Sequence, residues 1–246
     1  MPETSLVQLL IAGARQREID MIDASIVKEG VHNALEAERR SEFGGNVRAA
    51  WEALMLDARE CTRCDLYKQA TQTVFGEGPL EASIMFVGEQ PGDQEDLAGR
   101  PFVGPAGAVF DAALEKVGID RSKVYVTNAV KHFKFVQKGK KRIHSKPGAG
   151  EIDACRWWIM HERELIRPPV TVALGATAAR SLIGKSVIIS KVRGQPLSLE
   201  DGSECWVTVH PSSLLRMPDP EARHEARALF ERDLKLIKAR AEELAS

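Results

Sequence analysis

Residues 83–96, SIMFVGEQPGDQED, decide how the rest of the chain is read. Ile84 to Val87 form a short apolar run that closes on Gly88, the pattern of a strand buried on both faces of a parallel sheet. The segment that follows is rich in glycine and proline and carries four acids, Glu89, Asp93, Glu95 and Asp96. A glycine after a strand, then Pro91-Gly92, lets backbone approach a ligand closely and turns N–H groups toward it.

The same alternation continues outward from this stretch. Residues 106–119 are amphipathic and stop at Gly118, as a helix with a glycine C-cap does. Residues 123–130 (KVYVTNAV) form a second strand and 151–166 a helix. Residues 168–175 form a third strand, and 176–183 a helix closed by Gly184. Residues 194–211 read as a hairpin with Asp201-Gly202 at its turn, and its second arm, CWVTV, is the last core strand. Residues 220–244 are the final helix. Strands alternating with helices predict a three-layer α/β/α sandwich around a mostly parallel, four-stranded sheet. Each strand ends in a polar mark: Gly88-Glu89-Gln90, Asn128, Gly175-Ala176-Thr177 and His210-Pro211-Ser212. In such a sheet these ends line one crevice, where ligands bind.

With 246 residues, 43% of them hydrophobic and 28% charged, the chain can bury a full core. The formal net charge of −1 gives no overall attraction for nucleic acid, so any such binding must rest on a local patch. One exists. Residues 131–146 (KHFKFVQKGKKRIHSK) hold seven basic residues, two histidines and no acid. They leave the end of the second strand as a basic loop, and charge alone would make them a solvated surface segment. No apolar run is long enough for a membrane span, the N-terminus makes a poor signal peptide, and a cytoplasmic monomer is expected. Residues 1–55 read as a helical extension, with apolar stripes at Leu6–Ile11 and Ile22–Val27, and 56–246 as the main domain. Cys61 and Cys64 form a C-x-x-C pair with Cys155 and Cys205 distant, an arrangement that favours a metal or redox site in a reducing compartment.

Four stretches, GEQPGDQED (88–96), PFVGPAG (101–107), TNAVK (127–131) and HPSSLL (210–215), resemble the uracil-DNA glycosylase superfamily in the right order. They look most like its iron–sulfur, family 4-like branch, and KKRIH (140–144) is similar to the basic loop of the UdgX type. The resemblance spans about residues 58–235. It implies recognition and excision of uracil from DNA, single-stranded by preference. It also implies a covalent end point, in which a histidine bonds to C1′ of the abasic sugar. Conventional multiple-turnover hydrolysis and non-catalytic uracil binding are the alternatives.

Residue by residue, the resemblance places Gly88, Glu89 and Gln90 near the sugar and the leaving base, beside Asp93. Glu95 stands where relatives crowd the carbon that carries the methyl group of thymine. Phe102 offers the stacking face that a flipped base needs. An amide at Asn128 can meet both O4 and N3–H of uracil, and cytosine presents the opposite pattern. His210 can stabilise charge on the departing base. Leu214 and Leu215 are expected as an exposed wedge, and Ser212, Ser213, Arg216, Lys140, Lys141 and Arg142 as DNA contacts. His144 is expected to attack the sugar, with Glu89 or Gln90 orienting it. The branch also implies a [4Fe–4S] cluster. Cys61, Cys64 and Cys155 are its expected ligands, with His132 where relatives carry a fourth cysteine. Cys205 reads as a buried packing residue.

Overall fold

The computed structural model describes residues 46–245, so the apolar stripes expected at Leu6–Ile11 and Ile22–Val27, and most of the 1–55 extension, lie outside the described residues. In chain order the elements are α1 (Val47–Arg59), β1 (Ile84–Gly88), α2 (Asp93–Ala98), α3 (Pro105–Val117), β2 (Tyr125–Asn128), β3 (Phe135–Lys138) and β4 (Lys141–His144). After these come α4 (Ala149–Ile166), β5 (Val170–Leu174), α5 (Ala176–Ile183), α6 (Ile189–Val192), β6 (Pro196–Ser198), β7 (Glu204–Thr208), α7 (Pro211–Leu215) and α8 (Pro220–Leu244).

The main sheet has five strands in the order β2-β1-β5-β7-β6, not the four expected. β2, β1, β5 and β7 are mutually parallel, and β6 runs antiparallel against β7. The added strand is the first arm of the hairpin read at 194–211. It is only three residues long and opens on Pro196, which an edge strand tolerates because one side needs no ladder bond.

β1, β2 and β5 are buried along their whole length, because helices cover both faces of the sheet. Alternate residues of β1 point to opposite layers. Ile84 and Phe86 meet Phe110 and Leu114 of α3 and Phe230 and Leu234 of α8. Met85 and Val87 meet Ile159 of α4 and Ala178 and Leu182 of α5. A third apolar cluster joins Leu54 and Ala58 of α1 to Phe75, Cys61, Cys155 and Trp158.

The basic stretch is not a loop. β3 and β4 pair as a separate antiparallel hairpin, with Phe135 opposite His144 and Gln137 opposite Arg142. Its two-residue turn is Gly139-Lys140, with Gly139 at φ 60°, the left-handed geometry that tight hairpins require.

Phe110 is fully buried and touches Phe86 and Phe102 at ring-centroid distances of 4.9 and 5.1 Å. Phe110→Ala is therefore expected to cost about 3–5 kcal/mol of stability. Denaturant unfolding of the full chain measures it.

Candidate active site

The C-terminal ends of β1, β2, β5 and β7 open on one cleft of about 810 Å³. Its walls include Glu89, Phe102, Asn128, His144, Thr177 and His210. The parallel order brings them together: residues far apart in sequence follow adjacent strands that all end on the same side.

Gly88 packs against two of these side chains. A Cβ there would overlap both Asn128 Oδ1 and the Phe102 ring, so glycine is what lets these two side chains converge. The Asn128 amide makes no hydrogen bond among the described residues and borders the cleft. Phe102 adopts φ 58°, a costly conformation for a bulky residue, on the order of 1–3 kcal/mol. The carbonyl of Phe102 packs where a Cβ at residue 107 would stand, so Gly107 permits the bend. The ring is buried against Phe110 and lies 6.3 Å from His210, nearly parallel to it (27°).

Glu89 is the electrostatic centre. Its Oε1 lies 3.1 Å from His144 Nε2, and its Oε2 accepts a short hydrogen bond from Thr177 Oγ1. Burial works to raise the pKa of this carboxyl. The hydrogen bonds from His144 and Thr177 and the nearby imidazoles outweigh it, and Glu89 stays below the ordinary carboxylate value. His210 goes the other way. Burial holds its pKa down to about 4, against a weaker upward pull from Glu89, so the ring is neutral at physiological pH. The Ser212 backbone N–H donates to His210 Nδ1 at 3.2 Å. Nδ1 is therefore an acceptor, and Nε2 carries the proton as a donor.

The hairpin is fastened by two side chains. Arg142 turns inward, with Nε 2.5 Å from Asp93 Oδ1 and Nη1 2.6 Å from buried Asp96. Gln90 donates to the carbonyls of Lys134 and Ser145 at 3.1 Å each and accepts from the Lys134 N–H at 3.1 Å. These bonds close the open end of the hairpin and place His144 over Glu89.

A sequence profile of the uracil DNA glycosylase superfamily matches residues 75–235. The chain belongs to this superfamily. A type-4 uracil-DNA glycosylase of Thermotoga maritima is 42% identical over 166 residues, 67% of this chain and 83% of that protein. Type-4 uracil-DNA glycosylases of Archaeoglobus fulgidus (34% over 180 residues, 70% and 87% of the two chains) and Pyrobaculum aerophilum (31% over 186, 73% and 88%) are also similar. The chain is thus a glycosylase, with the chemistry of N-glycosidic bond cleavage. Among its described residues no helix is long and apolar enough to cross a membrane.

Several expected roles change in this glycosylase. Gln90 borders the cleft, and its amide is hydrogen-bonded to the hairpin backbone. Arg142 and Asp93 are paired with each other. Glu95 bridges two loops, accepting from Gly104 N at 2.8 Å and Gly92 N at 3.1 Å. Leu214 is no wedge: it is 1% exposed and packs in the core, and only Leu215, at 47%, stands out. Ser213 Oγ donates to the His210 carbonyl, and Ser212 is bonded to the His210 ring, so both brace α7 and His210. Lys140, Lys141 and Arg216 are exposed as expected. Thr177 was visible as a strand-end mark but had no assigned role; nothing in its sequence context pairs it with Glu89, 88 residues away.

Cys61, Cys155 and Cys64 share the third apolar cluster. Burial first, then the neighbouring Cys61 and Cys64, push the Cys155 thiol up to about 12, while Lys131 works against the rise. Trp158 Nε1 and the Lys131 N–H donate to the sulfurs of Cys61 (3.1 Å) and Cys155 (3.2 Å). His132 is 3% exposed; its Nε2 is 2.9 Å from Thr73 Oγ1, and its buried Nδ1 has no hydrogen-bond partner. Among the described residues no three His, Cys, Asp or Glu side chains close on a single ion. A multi-iron cluster needs more widely spaced donors, and three soft sulfurs with an unpartnered imidazole nitrogen fit that chemistry. Cys205 is fully buried within β7.

His210 supplies a pH signature. Its folded pKa is below its unfolded value near 6.5, so the unfolded chain takes up a proton that the folded chain refuses. This contribution is complete above about pH 6.5 and is lost as pH falls toward about 4. His210→Gln is expected to flatten that part of the stability–pH curve, as read from denaturation midpoints between pH 4 and 7.

Proposed function

We propose that this glycosylase excises uracil from single-stranded DNA and is captured by it, with His144 bonding to C1′ of the abasic sugar. The observation that carries this reading is the placement of His144. It stands 44% exposed at the cleft edge, against a carboxylate that stays ionised, on a hairpin with its own dedicated anchors.

The flipped uracil lies against Phe102. Asn128 meets its O4 and N3–H, and the Nε2–H of His210 meets O2. The loop walls that Glu95 ties together exclude the methyl group of thymine. The C1′–N1 bond breaks with its electron pair leaving on uracil, whose charge the neutral His210 donor stabilises. The Glu89 carboxylate stabilises the cationic sugar. The lone pair of one His144 ring nitrogen then bonds to C1′. The proton displaced from the imidazole passes to Glu89 and from there to solvent, and the uracil anion takes one proton back from solvent, so that imidazole and nucleotide give the adduct and neutral uracil with Glu89 again ionised. No water adds to the sugar, and no step remains to free the protein. Lys140, Lys141 and Arg216 contact phosphates. Leu215 alone fills the gap left by the flipped nucleotide.

A [4Fe–4S] cluster would be held by Cys61, Cys64, His132 and Cys155. It would supply a structural cross-link there, joining the 61–64 turn, the segment after β2 and α4.

One gel tests the proposal. A uracil-containing oligonucleotide is mixed with excess protein and run under denaturing conditions. A shifted band that survives heat and detergent is expected, and His144→Ser should reduce it at least 100-fold. An alkali-cleavable abasic site with no shifted band would show turnover by water, the outcome that similarity to type-4 enzymes would favour. An undiminished band in His144→Ser would remove His144 from the reaction. Iron and sulfide analysis tests the cofactor: His132→Ala should lose iron, and Cys205→Ala should keep it.

A further inference from the structure

Lys131 and Glu162 form an ion pair with both side chains 0% exposed, and nothing in the chemistry above uses it. All three donors of the Lys131 ammonium are engaged, by Glu162 Oε2, by Thr127 Oγ1 and by the Asn128 carbonyl at 2.9 Å. Glu162 Oε1 also accepts from Tyr125 OH, Thr127 Oγ1 and the Gly76 N–H, each at 3.0 Å. Tyr125 OH in turn accepts from Trp51 Nε1 at 2.9 Å. The network therefore grips β2 at Tyr125, Thr127 and Asn128 from the α4 side.

A buried ion pair is a poor way to gain stability, because desolvation consumes most of the attraction and apolar residues of similar volume often do better. Its geometry points elsewhere. Lys131 folds back three residues and seizes the carbonyl of Asn128 itself. On the other side the chain just past Asn128 is pinned to β1, with Ala129 N donating to the Gly88 carbonyl (2.9 Å) and Val130 N to that of Glu89 (3.0 Å). Asn128 is thus clamped on both flanks, while its amide is left unpartnered at the cleft.

We infer that the Lys131–Glu162 pair is a positioning device for the base-reading amide: it fixes the Asn128 peptide so that the amide meets uracil and mismatches cytosine. This rests on Asn128 being the uracil reader. Amide readout depends on angle, so a small freedom of the peptide costs discrimination before it costs the fold.

The test measures binding of the full chain to two single-stranded oligonucleotides that differ at one nucleotide, 2′-fluoro-deoxyuridine or 2′-fluoro-deoxycytidine. The 2′-fluorine blocks glycosidic cleavage, so affinity is read without reaction. The double variant Lys131→Met/Glu162→Gln removes both charges and keeps the acceptor for Tyr125 and Thr127. Its uracil-to-cytosine affinity ratio is expected to fall at least tenfold. Affinity for the cytosine strand and the melting midpoint should stay close to wild type. In an Asn128→Ala background the same pair of substitutions should change the ratio no further, since the reader is already gone. A wild-type ratio in the double variant would overturn the inference. So would a parallel loss of both affinities with a collapsed melting midpoint, the mark of a merely structural pair. If the double variant does not fold, Glu162→Gln alone is measured, and an unchanged ratio there overturns the inference equally. Equal binding of both strands by the wild-type chain would instead overturn the uracil-reading role of Asn128.

Discussion

Arg142 held between Asp93 and Asp96 is the interaction on which the site depends. A lone two-stranded hairpin has too little core to stand by itself. This one leaves Val136 and Ile143 exposed and has the stacked Phe133–Phe135 pair at its base. What fixes it is polar: Arg142 on α2, Gln90 across the open ends, and Lys134 on Glu151 of α4 at 2.8 Å. Within the hairpin itself Arg142 is turned inward, while Lys138, Lys140 and Lys141 stay in solvent. The inward one sets where His144 stands.

Glu89 connects that hairpin to the sheet. The carboxylate is reached from β4 by His144 and from α5 by Thr177, and it lies close enough to His210 to influence it. One acid between two imidazoles separates their roles. His210, buried and neutral, keeps a single N–H for a departing base. His144, half in solvent, stands open to the cleft. The His210 assignment comes first from burial, and Arg216 adds to it by also disfavouring the charged ring.

Much of this was legible in the sequence, because parallel strands write their layer into unbroken apolar runs and their site into the residues just after. Gly88, Glu89, Asn128 and His210 stand out that way; the structure brings the last three to one cleft and packs Gly88 against Asn128. The hairpin was misread as a loop: β3 and β4 are mostly exposed, so they lack the apolar pattern that marks a strand. Leu214 and Leu215 looked alike in sequence, and only the short turn of α7 sends one into the core and the other outward. Gln90, Arg142 and Glu95 stand out as polar residues in the sequence, but their hydrogen-bond partners within the protein do not. A side chain's hydrogen bonds depend on tertiary neighbours that local sequence does not record. Lys131 and Glu162 were invisible as a pair for the same reason.

The most direct measurement is tandem mass spectrometry of the protein after reaction with a uracil-containing oligonucleotide and nuclease trimming. The deoxyribose-bearing mass is expected on the imidazole of His144 and on no other side chain. The same mass on a different residue, or uracil released with every peptide unmodified, would contradict capture by His144.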